Sequence, residues 1–231
     1  MKMLCVVTPS HQELFDQFFL PSLDTKLFEL VSYQLAQEGT GEFLGDDFVR
    51  CIQFKLTKIL ESIEQNENEL IVWSDVDIQF FGLKPEHIIK YFQHEEDLVA
   101  QKLTLTGNHA CGGFYALRCS AKTHSFFVDV DKVTTELTRG NEQEAINLLL
   151  QKDSSLRWNL FGPEFYARSH GARIPPNALL HHATNLTPGD AIQKKARALM
   201  ELKDFQSWHL ARKQFYVLVQ QVPALFRKLT F

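Results

Sequence analysis

Two carboxylates separated by one residue are the feature of this sequence with the clearest chemistry. Asp75 and Asp77 directly follow Leu70-Ile71-Val72-Trp73, an apolar run typical of a strand that is buried on both faces. In an open α/β sheet, ligands bind in the crevice beyond the carboxyl ends of the strands. Carboxylate oxygens at that place suit Mg²⁺ or Mn²⁺, and either ion can bridge the oxygens of a diphosphate. A solvated turn is the alternative, but the apolar neighbours of both aspartates favour a binding site.

A lysine on a predicted helix is the second candidate. The apolar residues of this helix recur at helical spacing and place Lys55 between Ile52 and Ile59. An unpaired ammonium is costly to bury, so the Lys55 side chain must either extend to water or meet an anion. We favour an anion, either a phosphate or a carboxylate. We expect Lys58, on the same helix, to lie at the surface.

Two adjacent histidines come late in the chain. His181 and His182 follow two leucines and precede Ala183. A neutral imidazole is a good third ligand for Mn²⁺ beside two carboxylates. A structural histidine pair is the alternative, and the residues alone leave it open.

Three short segments are candidates for lining a substrate pocket. Gly112-Gly113 leaves room for a ligand because glycine has no side chain, although close backbone packing explains the pair equally well. Glu142 and Gln143 begin a predicted helix, where Glu142 could hold hydroxyl groups or could simply favour the positive end of the helix. Thr8-Pro9 ends the first predicted strand and carries little information by itself.

Predicted strands and helices alternate along the chain, which is the pattern of an α/β fold around a mostly parallel sheet. Asp46 or Asp47 is the predicted N-cap of the helix that carries Lys55. The predicted strands cover 4–8, 27–35, 70–73, 98–100, 113–117 and 178–180, and the predicted helices cover 12–20, 48–63, 85–92 and 142–150, with a helical tail from 189 onward.

Five motifs, in the expected order, resemble the nucleotide-diphospho-sugar transferase family. The segment Val72-Trp73-Ser74-Asp75-Val76-Asp77 is similar to the Asp-x-Asp signature of family-77-like glycosyltransferases, which have a GT-A fold, and more loosely to that of family-8 enzymes. The resemblance covers about residues 48–187. The other four motifs are the helix with Lys55 and Lys58, Gly112-Gly113-Phe114-Tyr115-Ala116-Leu117-Arg118, Asn141-Glu142-Gln143-Glu144-Ala145-Ile146-Asn147, and His181-His182-Ala183-Thr184-Asn185.

This resemblance implies a GT-A-like (Rossmann-like) α/β fold and a glycosyltransferase. Such an enzyme would move a hexosyl or pentosyl group from a nucleotide-diphosphate sugar donor to an acceptor hydroxyl, with Mn²⁺ or Mg²⁺ and with retention of configuration. The implied acceptor is a saccharide, a lipid-linked group or a protein, and no nucleic-acid partner is expected. The implied roles are metal binding for Asp75, Asp77 and His182, donor binding for Thr8, Pro9, Lys55, Asp75, Gly112 and Gly113, and catalysis or sugar positioning for Glu142 and Gln143.

Two other functions stay open at this point. A haloacid-dehalogenase-type phosphatase also places Asp-x-Asp after a buried strand, with the first aspartate as nucleophile. Its motif normally continues with Thr or Val at the position of Gln79. A nucleotide-sugar-binding module without turnover would explain Glu142, which stands where the family usually has Asp.

The composition is that of a globular protein. The 231 residues are 45% hydrophobic, and no stretch approaches the ~20 apolar residues that cross a bilayer. The 19 phenylalanines predict a large core, because each aromatic ring buries on the order of 150–250 Å². The N-terminal apolar run is too short for a secretory signal. The four cysteines lack metal-site spacing, so we expect free thiols and a cytoplasmic location.

The predicted organisation is one GT-A-like domain, residues 1–187, followed by a helical extension, residues 188–231. The extension has eight basic and three acidic residues, a charge of +5, which leaves −9 for the rest of a chain whose total is −4. Aromatic residues alternate with the basic ones. We favour a helix packed on the core with a solvated basic face over a helix that rests peripherally on an anionic membrane surface.

Overall fold

The computed structural model describes residues 1–38, 45–137, 141–152, 155–170, 174–184 and 191–203. Most strands in these ranges are short, and several have only three residues. They are β1 (Lys2–Val7), β2 (Glu29–Gln34), β3 (Leu70–Ser74), β4 (Ile78–Phe80), β5 (Leu98–Lys102), β6 (Ala110–Arg118), β7 (Trp158–Leu160), β8 (Phe165–Ala167) and β9 (Leu180–His182).

Six of these strands form the central sheet, in the order β2-β1-β3-β6-β5-β7. Strand β1 is parallel to both β2 and β3, whereas β6 runs antiparallel to its neighbours β3 and β5. Strand β7 is parallel to β5. Five of the six strands therefore point the same way, which confirms the predicted mostly parallel α/β sheet.

The helices follow the strands and cover the sheet. Consecutive turns Pro9–His11, Gln12–Leu14, Phe15–Phe19 and Leu20–Ser22 form one helical segment, α1, whose third part has π-helical geometry. The others are α2 (Asp46–Gln65), α3 (Pro85–Ile89), α4 (Ala121–Glu136), α5 (Glu142–Gln151) and α6 (Ala191–Met200).

Alternate residues of the central strands pack on opposite faces of the sheet, as the period of two in a strand requires. Leu4, Trp73 and Tyr115 belong to one core, with apolar residues of α2, α4 and α5. Met3 and Phe114 belong to the other core, which also contains residues of α1 and of the second sheet. The protein thus has the helix–sheet–helix layering of α/β folds.

Phenylalanine fills much of both cores, as its abundance predicts. Phe161 and Phe165 stack with their ring centroids 4.1 Å apart, and the Phe114 ring lies 5.8 Å from each of them. Phe127 stacks on Tyr115 in the opposite core. The four cysteines are free, and three of them are buried.

A second, three-stranded sheet has the order β4-β9-β8. Strand β9 pairs antiparallel with β4 and parallel with β8. The sequence predicts a strand at 178–180, which is wrong by two residues, because pairing with β4 and β8 sets its position. As a result both His181 and His182 belong to β9.

Other element boundaries also differ from the sequence-based expectation. Helix α2 has Gly45 as its N-cap, with Asp46 and Asp47 in its first turn, so the predicted Asp N-cap is wrong. Helix α3 ends at Ile89 rather than at residue 92. Helix α4 and the strands β4, β7 and β8 have no counterpart in the prediction.

The predicted C-terminal extension is described only in part. Helix α6 packs its apolar residues Ala198 and Leu199 against Leu14 and Phe18 of α1. The aromatic residues from Phe205 onward and the predicted break near Pro223 lie outside the described residues. Among the helices that the structure describes, none is long and apolar enough to cross a membrane.

Candidate metal and donor site

The pairing of the strands places Asp75 beside Gly113 and Asp77 beside His182. Ser74 pairs with Phe114 across β3 and β6, and the backbone N–H of Asp75 donates to the carbonyl oxygen of Gly113 at 2.7 Å. Ile78 pairs with His182 across β4 and β9, which places His182 beside Asp77. The carboxyl end of β3 therefore meets the end of β9.

Asp75, Asp77 and His182 form a cluster of three potential metal ligands. One ligand atom from each lies within 4.8 Å of the other two. The Asp75 side chain is 41% exposed, whereas the side chains of Asp77 and His182 are 7% and 4% exposed. The structure thus brings the three predicted metal ligands together, with Asp75 facing solvent and the other two behind it.

Asp77 lies between two basic side chains. Lys195 Nζ from α6 is 2.8 Å from Asp77 Oδ2, and His182 Nε2 is 3.2 Å from Asp77 Oδ1. Asp77 Oδ1 is buried and has no hydrogen bond of good geometry within the described residues. Burial alone would raise the pKa of Asp77, but the Lys195 and His182 charges outweigh it and hold that pKa well below its usual value.

The Asp77 carboxylate in turn raises the pKa values of the two bases, His182 and Lys195. Burial would lower the pKa of His182, but the Asp77 carboxylate and then Cys111 raise it to about 10. The Asp77 carboxylate likewise overcomes burial and raises the pKa of Lys195. In the protein without metal, two positive charges therefore surround the Asp77 carboxylate.

Lys55 is buried at the centre of a second charge cluster. Its Nζ donates to Glu142 Oε1 at 2.8 Å, to the Gly112 carbonyl oxygen at 2.8 Å and to Asp75 Oδ1 at 3.3 Å. The ammonium also lies 4.8 Å from the centroid of the Trp73 ring. Trp73 Nε1 donates to the same Asp75 oxygen at 3.0 Å.

These contacts explain how a lysine is buried at 3% exposure. Burial would lower the pKa of Lys55, but the carboxylates of Asp75 and Glu142 outweigh burial and raise it. Of the two anions that the sequence allows, the structure pairs Lys55 with carboxylates. All three N–H groups of the Lys55 ammonium therefore have acceptors within the protein.

Gly112 and Gly113 allow β6 to lie close to its neighbours, because neither residue has a side chain. A Cβ atom on Gly113 would clash with His182 Cε1 and would lie 2.9 Å from Asp75 Oδ2. A Cβ atom on Gly112 would lie 3.1 Å from both Gln143 Cβ and Glu142 Oε1. Any side chain at Gly113 would therefore displace His182 or Asp75, which are two of the three potential metal ligands.

The first turn of α5 is fixed to β6. The Gly112 N–H donates to Gln143 Oε1 at 3.1 Å, and Asn147 exchanges hydrogen bonds with both backbone groups of Ala110. The Asn141 side chain caps the helix by accepting from the Gln143 N–H. Glu142, at 5% exposure, thus faces inward onto Lys55 rather than outward into the crevice.

Thr8 and Pro9 lie at the carboxyl end of β1, on the same edge of the sheet as Asp75. The Thr8 hydroxyl is 3.2 Å from both Ser10 Oγ and His11 Nδ1, and Gln37 Oε1 accepts from the Ser10 N–H at 3.1 Å. Burial, and next the Lys195 charge, lower the pKa of His11. The loop after β1 therefore adjoins the charges around Asp77.

Two residues near the ligand cluster had no signal in the sequence. In the sequence, Lys195 is one of several basic residues in the extension, and Gln101 directly follows the predicted strand 98–100. His181, by contrast, points away from the carboxylates: its ring lies 5.5 Å from that of Tyr166, and burial and the His182 charge lower its pKa to about 3.

The fold is similar to that of solved glycosyltransferases. A glycosyltransferase involved in the glycosylation of the major capsid of PBCV-1 matches 85% of this chain and 97% of its own, at 11% identity and a TM-score of 0.58. GlyE from Streptococcus pneumoniae TIGR4 matches 96% of this chain at 12% identity, with TM-scores of 0.53 and, in its apo form, 0.52. This chain spans 64% of the GlyE chain.

At such low identity the similarity shows the fold alone. No protein-family model matches the sequence, and neither does any curated protein. The chain has a GT-A-like fold, with a mostly parallel central sheet flanked by helices. Its function must therefore be argued from the site.

Proposed function

We propose that the protein is a metal-dependent glycosyltransferase that uses a nucleotide-diphosphate sugar as donor. The observation that carries this proposal is the cluster of Asp75, Asp77 and His182 at the carboxyl edge of a GT-A-like sheet. Ligands of open α/β folds bind at that edge. The similarity to solved glycosyltransferases supports the same activity.

The three side chains suit a divalent metal ion. Asp77 Oδ1 is buried without a good hydrogen bond in the described residues, which a metal ion would remedy. Two carboxylates with one imidazole favour Mn²⁺ over Mg²⁺, because Mg²⁺ prefers oxygen ligands and water. Asp75, Asp77 and His182 would hold the ion, which would neutralise the charge that develops on the departing nucleotide diphosphate.

Lys195 is the residue that we assign to a phosphate of the donor. Its Nζ is 2.8 Å from Asp77 Oδ2, and its side chain is 21% exposed. A carboxylate that binds a metal ion attracts a lysine less, so the Lys195 ammonium becomes available to a neighbouring phosphate oxygen. Together with the ion it would stabilise the leaving group.

Lys55 and Glu142 position Asp75 in this proposal. The Lys55 ammonium bridges the carboxylates of Asp75 and Glu142, and it also donates to the Gly112 carbonyl oxygen. Glu142 holds the Gly112 backbone through Lys55, and Gln143 holds it by accepting from the Gly112 N–H. In this proposal that backbone lines the sugar pocket. Retention of configuration, which the family resemblance implies, is part of the proposal.

The loop after β1 is proposed to bind the nucleoside. Thr8 and Pro9 lie on the same edge as Asp75, and the side chains of Ser10 and His11 add polar groups there. The acceptor is proposed to be a hydroxyl group of a saccharide, a lipid-linked group or a protein. We further propose a cytoplasmic protein whose extension, residues 188–231, packs on the domain of residues 1–187.

Calorimetric titration with a panel of nucleotide-diphosphate sugars, with and without Mn²⁺, tests this proposal. We expect one donor to bind only with metal and to be hydrolysed slowly when no acceptor is present. Binding without hydrolysis or transfer would identify a module that lacks turnover. A phosphate ester on Asp75 would identify a phosphatase, and the absence of any nucleotide binding with Mn²⁺ would refute the proposal.

A further inference from the structure

Gln101 is fully buried, at 0% exposure, where β5 passes the second sheet. The pairing of β5 with β6 shifts register between Ala100 and Lys102, so Gln101 lies at an irregularity of the strand. Such irregularities change the direction of a side chain. Here the side chain reaches β8 and β9 rather than following the regular alternation of β5.

The Gln101 amide makes two hydrogen bonds that fix its orientation. Its Nε2 donates to the carbonyl oxygen of Phe165 at 3.0 Å, and its Oε1 lies 2.7 Å from His182 Nδ1. If the amide were rotated by 180°, two oxygen atoms would face each other at the Phe165 carbonyl. The hydrogen-bond network therefore assigns Oε1 to the His182 ring.

This orientation determines the tautomer of His182. A carbonyl oxygen only accepts hydrogen bonds, so His182 Nδ1 must carry a proton and donate it. In a neutral ring the other nitrogen, Nε2, then has the free electron pair. Nε2 is the atom that lies 3.2 Å from Asp77 Oδ1, on the side of the carboxylates.

Cys111 is the other group close to His182 Nδ1, but its contact with that nitrogen is weaker. Its Sγ lies 3.8 Å from His182 Nδ1, and sulfur is a poor acceptor. Gln101 is therefore the main acceptor for the Nδ1 proton in the described residues. The contact crosses 81 positions of sequence, which is why no local pattern shows it.

We propose that Gln101 is a positioning residue, which holds the His182 ring so that Nε2 faces the metal ion. This inference rests on the metal-dependent function proposed above. A histidine ligand usually donates its second ring N–H to an acceptor of this kind, and loss of that acceptor weakens metal binding by about 10- to 100-fold. The proposal gives that role to a residue outside all five motifs of the sequence.

Three variants separate this role from a purely structural one. Gln101→Leu removes both hydrogen bonds, whereas Gln101→Glu keeps an acceptor for His182 and loses the donor to Phe165. The matched control is Gln79→Leu, because Gln79 is 4% exposed and pairs with His181, so its side chain leaves β4 on the face opposite to His182.

The experiment is titration of Mn²⁺ into each folded variant, with thermal unfolding measured alongside. We expect the affinity of Gln101→Leu for Mn²⁺ to fall about 10- to 100-fold. Gln101→Glu should stay within about threefold of the original chain, although it unfolds at a lower temperature, and Gln79→Leu should bind Mn²⁺ unchanged. Long-range ¹H–¹⁵N spectra of the histidine rings with bound Zn²⁺, a diamagnetic ion that imidazole binds, should show a protonated Nδ1 on His182 in the original chain and lose that pattern in Gln101→Leu.

Three results would overturn the inference, and they differ from one another. If the original chain binds Mn²⁺ and Gln101→Leu binds it equally well, Gln101 has no positioning role while the proposed function stands. Equal losses in Gln101→Leu and Gln101→Glu would assign the effect to Phe165 and also refute the role. If the original chain itself binds no Mn²⁺, with or without nucleotide diphosphate, the metal dependence fails and the inference fails with it.

Discussion

The two ends of the central sheet both carry clustered charges, but the two clusters differ in burial and in the number of partners that each charge has. At the carboxyl end, the side chains of Lys55, Glu142 and Asp77 are 3%, 6% and 7% exposed. At the other end, a cavity of about 580 Å³ has charged walls, where Arg157 pairs with Glu95 at 2.7 Å with side chains 62% and 84% exposed. This cavity is lined by Phe92, Gln93, Glu95, Asp97, Arg118, Lys122 and Arg157.

The difference lies in how each charge is shared. At the carboxyl end one ammonium serves two carboxylates and one carboxylate faces two bases, so every group depends on several others. At the far end, each ion pair joins one acid and one base, and the exposed pair of Arg157 and Glu95 contributes about 0–1 kcal/mol. The pair of Lys122 and Asp97 is less exposed, at 37% and 12%. Clustering of charge alone therefore does not identify a site. Burial, shared partners and glycine contacts distinguish the carboxyl end.

The largest effect is expected from Asp77→Asn. The amide keeps the shape of the side chain but removes the charge that faces both Lys195 and His182. Loss of a ligand should exceed the roughly 10- to 100-fold cost of losing an outer contact, so we expect Mn²⁺ affinity and donor hydrolysis to fall more than about 100-fold. Calorimetry and a hydrolysis assay measure both.

Glu95→Gln is the matched control for this change, because it also neutralises a paired carboxylate, at the far end of the sheet. It should leave both quantities unchanged. Equal Mn²⁺ binding by Asp77→Asn and the original chain would show that the buried charges at the carboxyl end bind metal no better than the charges at the far end.

Lys55→Met should be the most destabilising change at the carboxyl end. It leaves Asp75 and Glu142 close to each other without the ammonium between them. Removing one partner of a buried pair costs about 3–5 kcal/mol, and we expect the lower limit of that range because Asp75 is 41% exposed. Urea unfolding measures the difference. A loss below about 1 kcal/mol would mean that Lys55 is solvated and that its cluster resembles the far end.

Gly113→Ala tests whether close packing distinguishes the carboxyl end. The added Cβ would clash with His182 Cε1, so the imidazole must move away from the carboxylates. We expect Mn²⁺ affinity to fall about tenfold, at the lower limit for a disturbed ligand. Gly112→Ala is the control, since its Cβ would meet Gln143 and Glu142 but not His182. Equal effects of the two substitutions would argue against a specific clash.

Proton release tests the electrostatics of the same cluster. The raised pKa of His182, about 10, means that its ring is protonated at neutral pH without metal. Metal binding requires a neutral Nε2, so it should release close to one proton, and affinity should rise up to about tenfold per pH unit from pH 6 to 8.5. Titration in buffers of different ionisation enthalpy measures the proton count. His182→Gln should abolish the release, and an affinity that falls with rising pH would contradict the assignment.

The same pKa shift predicts how stability depends on pH. The folded-state pKa of His182 lies above the ordinary value near 6.5, so the folded state binds the proton more tightly. Its contribution to stability is complete below about pH 6.5 and is lost as the pH rises toward 10. In the metal-free chain, stability should therefore decrease over that interval, and thermal unfolding at several pH values checks the sign.

Sequence patterns predicted the parts of the fold that local periodicity encodes. The apolar run before Asp75 indicated β3, and the helical spacing around Lys55 indicated α2. Helix α4 was missed because its segment is rich in β-branched residues, which do not favour a helix by themselves. Strands β4, β7 and β8 have three residues each, too few to show a period.

The candidate site, like the fold, was predictable only where local sequence patterns encode it. The residue types at Asp75, Asp77 and His182 indicated a metal, because carboxylates after a buried strand and a late histidine are visible locally. The partners of these residues were not visible. Lys195 reaches Asp77 from another helix, and Gln101 reaches His182 across an irregular strand. Such contacts depend on tertiary packing, which no short window of sequence contains.

The smallest effect is expected from Arg118→Met at the far end of the sheet. The Arg118 guanidinium lies 5.9 Å from the centroid of the Phe92 ring and has no ion pair within the described residues. Methionine keeps the apolar contact with Phe92, so the free energy of unfolding should change by less than about 0.5 kcal/mol, and Mn²⁺ binding and donor hydrolysis should not change. If Arg118→Met instead lowered donor hydrolysis while Mn²⁺ binding stayed intact, the far cavity would take part in function. Exposure and one-to-one pairing would then not be enough to separate a passive charge cluster from an active one.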